Sequence, residues 1–407
     1  MRIRAITGFI DPGWPLETAL IAKTAQCLKD CQSALQDAGF EVQTLRIATP
    51  PPSEMSTPVS PANRPDLAHQ LEAEIFTQGI DFAAIGPALP DEPDGFQMLP
   101  EVLDATDTVF SSGIYADPTA GLSLTAARAC ARAIHEISTI RDDGFGNLRF
   151  AALANVPSGV PFFPAAYHRG GPPSLAIATE SADLAVSIVK DASSTLLAKR
   201  QLVAAIETHA ANLARVTDGI AQDHNFRFLG VDFSFAPYPE TPRSIGTALE
   251  TIGVSAFGQS GSAAAAAFLT DCLDSARFQR VGFCGLFLPV LEDNVLASRA
   301  SEGILTISDL LLYSTLCGTG LDTLPLPGDA SIGALTGLLL DIGAIALRHA
   351  KPLTARLMPI PGKTQGDAIH FDFPYFADCR LMPLPDAPLA GLLDSPDILD
   401  IGPHKVE

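Results

Sequence analysis

The chain has 407 residues, 47% of them hydrophobic and 18% charged, and a formal net charge of −20. Such a chain can bury a sizeable core and is not disordered, and its acidity argues against holding a nucleic-acid backbone or an anionic membrane surface. Seven dispersed cysteines, an odd number in a chain this long, argue against a disulfide framework.

The opening Met1-Arg-Ile-Arg-Ala-Ile-Thr lacks the long apolar core of a signal peptide. The apolar run 335–347 is broken by Asp341 and is too short to cross a bilayer, so a cytoplasmic location is expected. Residues 3–10 read as a strand, and 16–38 as an amphipathic helix that Gly39 ends. Cys27 and Cys31 fall on one face of that helix, but no second Cys/His pair at zinc spacing completes a site. Residues 41–48 alternate as a half-buried strand does. Six prolines among residues 49–65 indicate an extended surface loop, since proline neither donates to a ladder nor continues a helix.

A helix over 65–77 leads to strands over 81–86 and 108–113. Residues 120–140 form an alanine-rich helix with Thr119 as its expected cap. Strands follow at 149–156 and 174–179, two helices at 182–223 and a strand at 228–236. The C-terminal third adds a helix over 330–349 and strands over 354–359 and 368–373. This alternation indicates one large α/β unit over 1–383, with a peripheral tail over 384–407.

Polar residues at the ends of apolar runs are the candidates for chemistry. Ser111, Ser112 and Asn155 stand at strand ends, where they can either orient a polar substrate or close a turn. His168, beside Arg169 and two glycines, can approach a ligand and titrate near neutrality, or simply bond to loop backbone. Asp232 lies in an apolar strand, so it needs a partner or a raised pKa; it serves either as an acid/base or in an ion pair. Gly258-Gln-Ser-Gly-Ser precedes an alanine helix and offers free backbone N–H groups, with Gln259 and Ser260 as substrate contacts or helix caps. Glu292 and Asp293 are adjacent carboxylates that either bind a divalent cation or complement a helix dipole. Cys317, followed by Gly-Thr-Gly-Leu-Asp322, is either an inert core residue or, by its glycine context, an accessible, activated thiol. No Gly-x-Ser-x-Gly elbow, His-Glu-x-x-His or kinase signature is present.

Ala154-Asn155, Pro161-Phe162, Ala166-Tyr-His168, Asp232-Phe-Ser-Phe-Ala-Pro237, Pro289-Val-Leu-Glu-Asp293 and Cys317-Gly-Thr-Gly-Leu-Asp322 occur in that order. In this the chain resembles the proteins grouped as domain of unknown function 711, over roughly 114–383 most closely. The resemblance implies a barrel similar to that of pyruvate formate-lyase and the ribonucleotide reductase large subunit, made of two antiparallel halves, and a homodimer. It implies no established reaction. Glycyl radical enzymes place a glycine in an Arg-Val-x-Gly-aromatic context; neither Gly391 nor Gly402 has it, which excludes a glycyl radical here.

The expected function is a non-radical enzyme acting on a small polar metabolite in the barrel mouth. Cys317 is its reactive group, His168 and Asp232 its acid/base residues, and Ser111, Ser112, Asn155, Gln259, Ser260 and Asp322 its substrate contacts. The alternative is a regulatory protein that binds a metabolite or a cation without turnover, with Asp232, Glu292 and Asp293 brought together as oxygen ligands and Cys317 buried and inert.

Overall fold

The computed structural model describes residues 1–386 and 388–404; residues 387 and 405–407 of the expected tail lie outside it. The protein is built on a large mixed sheet whose strands fall into two sets. The first comprises β1 (Arg2–Phe9), β2 (Val42–Ala48), β3 (Phe82–Ala84), β4 (Val109–Asp117), the short β5 (Gly121–Ser123) turned back on β4, and β6 (Phe150–Ala154). The second contains β7 (Ser174–Glu180) beside β8 (Arg227–Asp232), and β9 (Gly320–Pro327) beside β10 (Leu353–Ile360). Apart from β5, neighbours within each set are parallel. The sets meet antiparallel where β1 pairs with β7 and β6 with β10.

Residues 279–290 run between β8 and β9 without forming a regular strand. Parallel bridges tie Arg280 to Val231 and Leu286 to Phe235 on one side, and Pro289 to Asp322 on the other. The Phe235 amide donates to the Gly285 carbonyl at 3.0 Å, and the Val290 amide to the Asp322 carbonyl at 3.1 Å.

Parallel strands need crossovers, and helices supply them. They are α1 (Thr18–Asp37), α2 (Arg64–Thr77), α3 (Pro93–Gln97), α4 (Leu99–Asp104), α5 (Leu124–Ser138), α6 (Ala182–Asp191) and α7 (Thr195–Asp223). Beyond β8 follow α8 (Ile245–Ile252), α9 (Ser262–Ser275), α10 (Asn294–Ser301), α11 (Ile307–Ser314) and α12 (Ile332–Arg348). Both faces of the sheet are buried, as side-chain alternation shows along β6. Phe150, Ala152 and Ala154 join the core under the helices, while Ala151 and Leu153 join a second cluster. That second cluster is filled by the β6–β7 connection, through Val156, Val160, Phe162, Ala165 and Tyr167.

Three local expectations are corrected. Residues 49–65 are not simply a surface loop: Thr49, Pro50, Pro51 and Pro52 are buried, and a Cβ on Gly86 would stand 2.2 Å from the Pro51 nitrogen. The chain crosses so closely over the end of β3 that only a glycine fits beneath it. Helix α5 is capped by Ser123, whose hydroxyl accepts from the Ala126 amide, because residues 121–123 are taken by β5 and hold Thr119 outside the helix. The strand expected over 368–373 shrinks to Ala368–Ile369, paired with Cys379–Arg380. Beyond it Phe371, Phe373 and Phe376 gather around Phe145 instead of extending the ladder.

Candidate functional site

A cavity of about 490 Å³ opens where the first strand set begins and the second set ends, and both sets contribute to its wall. Arg4 comes from β1, Arg46 from β2, Thr179 from β7, Asp232 from β8 and Arg356 from β10; Glu292 follows the bridging segment. Antiparallel junctions put the starts of one set beside the ends of the other, so residues remote in sequence meet here.

Its floor is a chain of alternating charges. Arg356 donates through Nη2 to Glu292 Oε1 at 2.7 Å and through Nε to Asp322 Oδ1 at 2.6 Å. Arg4 donates to the other Glu292 oxygen and lies 3.6 Å from Glu180 Oε2, while Arg243 pairs with Glu180 Oε1 and Gln43 donates to Oε2 at 2.8 Å. Burial opposes ionisation of Glu292, but Arg4 and Arg356 outweigh it and hold its pKa below the ordinary value. Asp322 moves the opposite way: burial raises its pKa, Arg356 only partly offsets this, and its Oδ2 is buried without a partner among the described residues. Charges so deep in the protein persist because each is paired, and removing one partner leaves the other exposed to the full desolvation cost.

Asp232 also lines the cavity, with both oxygens engaged. Oδ1 accepts from the Ser234 hydroxyl at 2.5 Å and the Cys284 amide at 2.9 Å, and Oδ2 from the Phe283 amide at 2.9 Å. Ser234 in turn accepts from the Gly285 amide at 3.1 Å. Burial raises the Asp232 pKa even though these three bonds favour the carboxylate. The pair therefore fastens residues 283–285 alongside β8, whatever else Asp232 does.

A family model described as "Uncharacterised ACR (DUF711)" matches residues 1–373 of the chain. The chain belongs to this family. It is 32% identical over 346 residues to a UPF0210 protein of Pyrobaculum islandicum, covering 81% of this chain and 76% of that protein. A UPF0210 protein of Desulfovibrio desulfuricans is 28% identical over 392 residues, 89% of this chain and 84% of its own length. One from Neisseria gonorrhoeae is 26% identical over 347 residues, 82% and 77% of the two chains.

In this DUF711 member the residues singled out from sequence are distributed over several places. Asp232 and Glu292 line the cavity and Asp322 belongs to its charge network. Cys317 does not line it. The thiol is fully buried and borders a second cavity of about 460 Å³, with Cys284, His349 and Lys351. An aromatic cluster stands between the two: Phe287 lines the first cavity and Phe283 the second, and both pack edge-on against Phe162. Burial pushes the Cys284 thiol up to about 12 and lowers the pKa of Lys351. His168 is buried on the β6–β7 connection, its amide bonded to the Thr49 carbonyl at 3.1 Å, and burial lowers its pKa.

Ser111 and Ser112 are buried in β4 with hydroxyls that find no partner among the described residues. Asn155 ends β6 in a left-handed conformation, φ 56°. Gln259 and Ser260 are exposed in the turn before α9, where Ser262, not either of them, accepts from the Gly258 amide. Glu292 and Asp293 have separate partners. Asp293 caps α10 through the Val295 and Leu296 amides and also accepts from the Ser244 hydroxyl and the Ile245 and Gly246 amides. Among the described residues, no three His, Cys, Asp or Glu side chains gather in a way that could hold a metal ion.

The arginines are absent from the sequence expectations. Arg46 is the single charge of β2 and Arg356 that of β10, while Arg4 shares β1 with Arg2; a charge set within a strand is the pattern that singles out Asp232.

Proposed function

We propose that the cavity over the Arg4–Glu292–Arg356–Asp322 network is where this protein takes a small polar metabolite, as a non-radical enzyme. The observation that supports this is the cavity itself: a metabolite-sized void ringed by charged side chains from both strand sets. Asp232 serves as acid/base there, a buried carboxyl on the cavity wall whose pKa burial raises above the ordinary value. Around the cavity we propose a closed barrel of two antiparallel halves, like that of pyruvate formate-lyase. The bridges of residues 279–290 to both β8 and β9 support closure, and the antiparallel β1–β7 and β6–β10 junctions support the two halves.

A second reading, binding without turnover, draws support from the same hydrogen bonds. Every Asp232 oxygen already has donors, and Glu292 is clamped between two guanidiniums. A panel of organic acids, amino acids and sugars, screened by thermal shift on the full chain, addresses both readings. Ala178 is half-buried and lines the first cavity, and Ala267 is placed likewise in the second. Stabilisation abolished by Ala178→Leu and retained by Ala267→Leu is the expected outcome; the reverse pattern refutes the assignment. Asp232→Asn then separates the readings: turnover lost with binding kept supports the enzyme, and no turnover of any bound compound by the unmodified protein supports the binder.

A further inference from the structure

The floor of the cavity is neutralised pair by pair, but Arg46 is not. Its Nε donates to the Thr44 hydroxyl at 2.9 Å, and among the described residues no carboxylate oxygen lies within 4.0 Å of its guanidinium. It is held in place by aromatic rings instead: the guanidinium carbon stands 5.0 Å from the Phe163 ring centre and 5.7 Å from that of Phe82. With Nε engaged, the two terminal nitrogens remain for a ligand, and a guanidinium presents such a pair in the fork geometry that suits a carboxylate.

Arg149, the other unneutralised guanidinium on this wall, uses its N–H groups on neutral acceptors: the Leu103 carbonyl at 2.7 Å, the Val109 carbonyl at 3.2 Å and the Thr106 hydroxyl at 3.3 Å. It adds positive field without offering the same open fork. Desolvated cations without counter-ions are costly, and an arriving anion removes that cost.

The rest of the wall narrows the ligand further. Phe82, Phe110, Phe162, Phe163, Phe287 and Phe373 all face the void, so most of what fills it meets apolar ring surface. Asp81 and Asp107 also line it, and their negative field disfavours a dianion more than a monoanion. Among the described residues, none from the first turn of an α-helix, whose amides are the usual cradle of a phosphate, lines the wall.

Resting on the cavity assignment above, we infer that the ligand is a monocarboxylate with an apolar, ring-sized body, its carboxylate seated on the open fork of Arg46. Three probes test this on the full chain by calorimetry: phenylacetate, the neutral phenylacetamide and inorganic phosphate. Phenylacetate binds, and phenylacetamide binds at least about tenfold more weakly. Arg46→Met weakens phenylacetate by at least about tenfold and leaves the amide unchanged, while Arg46→Lys, which keeps the charge but not the fork, falls between. An unchanged circular dichroism spectrum shows that each variant is folded, and the Lys variant carries the test if the Met variant is not.

Equal affinity for the acid and the amide overturns the inference, as does phosphate binding more tightly than phenylacetate. No phenylacetate binding up to about 10 mM overturns it too. The cavity assignment stands or falls separately: if some neutral or cationic compound binds and Ala178→Leu blocks it, only the carboxylate inference fails. If nothing that binds responds to Ala178→Leu, both fail.

Discussion

Glu292 carries two arginines on its two oxygens, Arg4 from 288 residues away and Arg356 from 64 residues away. Those separations explain what could be read from the residues and what could not. A charge inside an apolar strand announces that a partner must exist, which is why Asp232 stands out in Gly230-Val-Asp-Phe-Ser-Phe. Which partner it finds is decided by the register of strands far apart in the chain. Asp232 is satisfied by its neighbour Ser234 and by backbone amides, whereas Glu292, adjacent to Asp293 in sequence, belongs to a different network from it. Because the folded-state pKa of Glu292 lies below its ordinary 4.5, its ionised form stabilises the fold. That contribution is complete above 4.5 and disappears as pH falls through the folded-state value. Replacing one member of a buried ion network costs about 3–5 kcal/mol. Glu292→Gln is therefore expected to unfold at lower urea concentration at neutral pH, with the gap from the unmodified protein narrowing once pH drops below 4.5. A gap that stays constant through the acid range would show that Glu292 is not the ionised centre of the network.

At the scale of elements, hydrophobic period located most strands and helices to within a few residues, because strands buried on both faces are near-continuous apolar runs and their crossovers carry an apolar stripe. It failed where tertiary contact, not local pattern, makes the element. Residues 279–290 contain Gly282 and Gly285 and show no ladder of their own, yet they lie between two strands because Asp232 and Ser234 supply hydrogen bonds to their amides. Gly282 is the point of closest approach. Its φ is 76°, and a Cβ there would stand 2.2 Å from Asp232 Oδ2. Gly362 has nearly the same φ, 71°, but a Cβ on it would meet no atom within 4 Å, so it isolates the backbone penalty from the clash. Gly362→Ala is expected to cost about 1–2 kcal/mol, and Gly282→Ala at least about 2 kcal/mol more as the carboxylate is displaced. Equal losses in chemical denaturation would mean that Asp232 does not pin this segment.

Over the whole molecule, alternation of strand and helix says that the fold is α/β but not which strands run together. Here the reversal of direction falls at the β6–β7 connection, and nothing in the apolar pattern of Phe150-Ala-Ala-Leu-Ala or Ser174-Leu-Ala-Ile-Ala marks it. The long Pro/Gly-rich stretch between those strands is visible in sequence, and its proline and glycine content suits a surface loop. Its aromatic and aliphatic residues instead pack against one face of the strands, where Phe162 and Phe163 help to form the cavity wall. A closed sheet and an open one differ in a measurable way. In an open sheet β8 and β9 are edges, and the amides facing outward exchange with solvent at the rates of frayed strands. In a closed one the Val231 amide is held by the Gln279 carbonyl at 2.9 Å, that of Phe235 by Gly285 at 3.0 Å and that of Val290 by Asp322 at 3.1 Å. Hydrogen exchange at neutral pH is expected to protect these three amides as strongly as those of β1 and β2 in the middle of the sheet. Gly282→Ala should release them before any amide of β1. Rapid exchange at all three in the unmodified protein, with β1 protected, would leave the sheet open at β8 and β9 and remove the wall that carries Phe287 and Glu292 into the cavity.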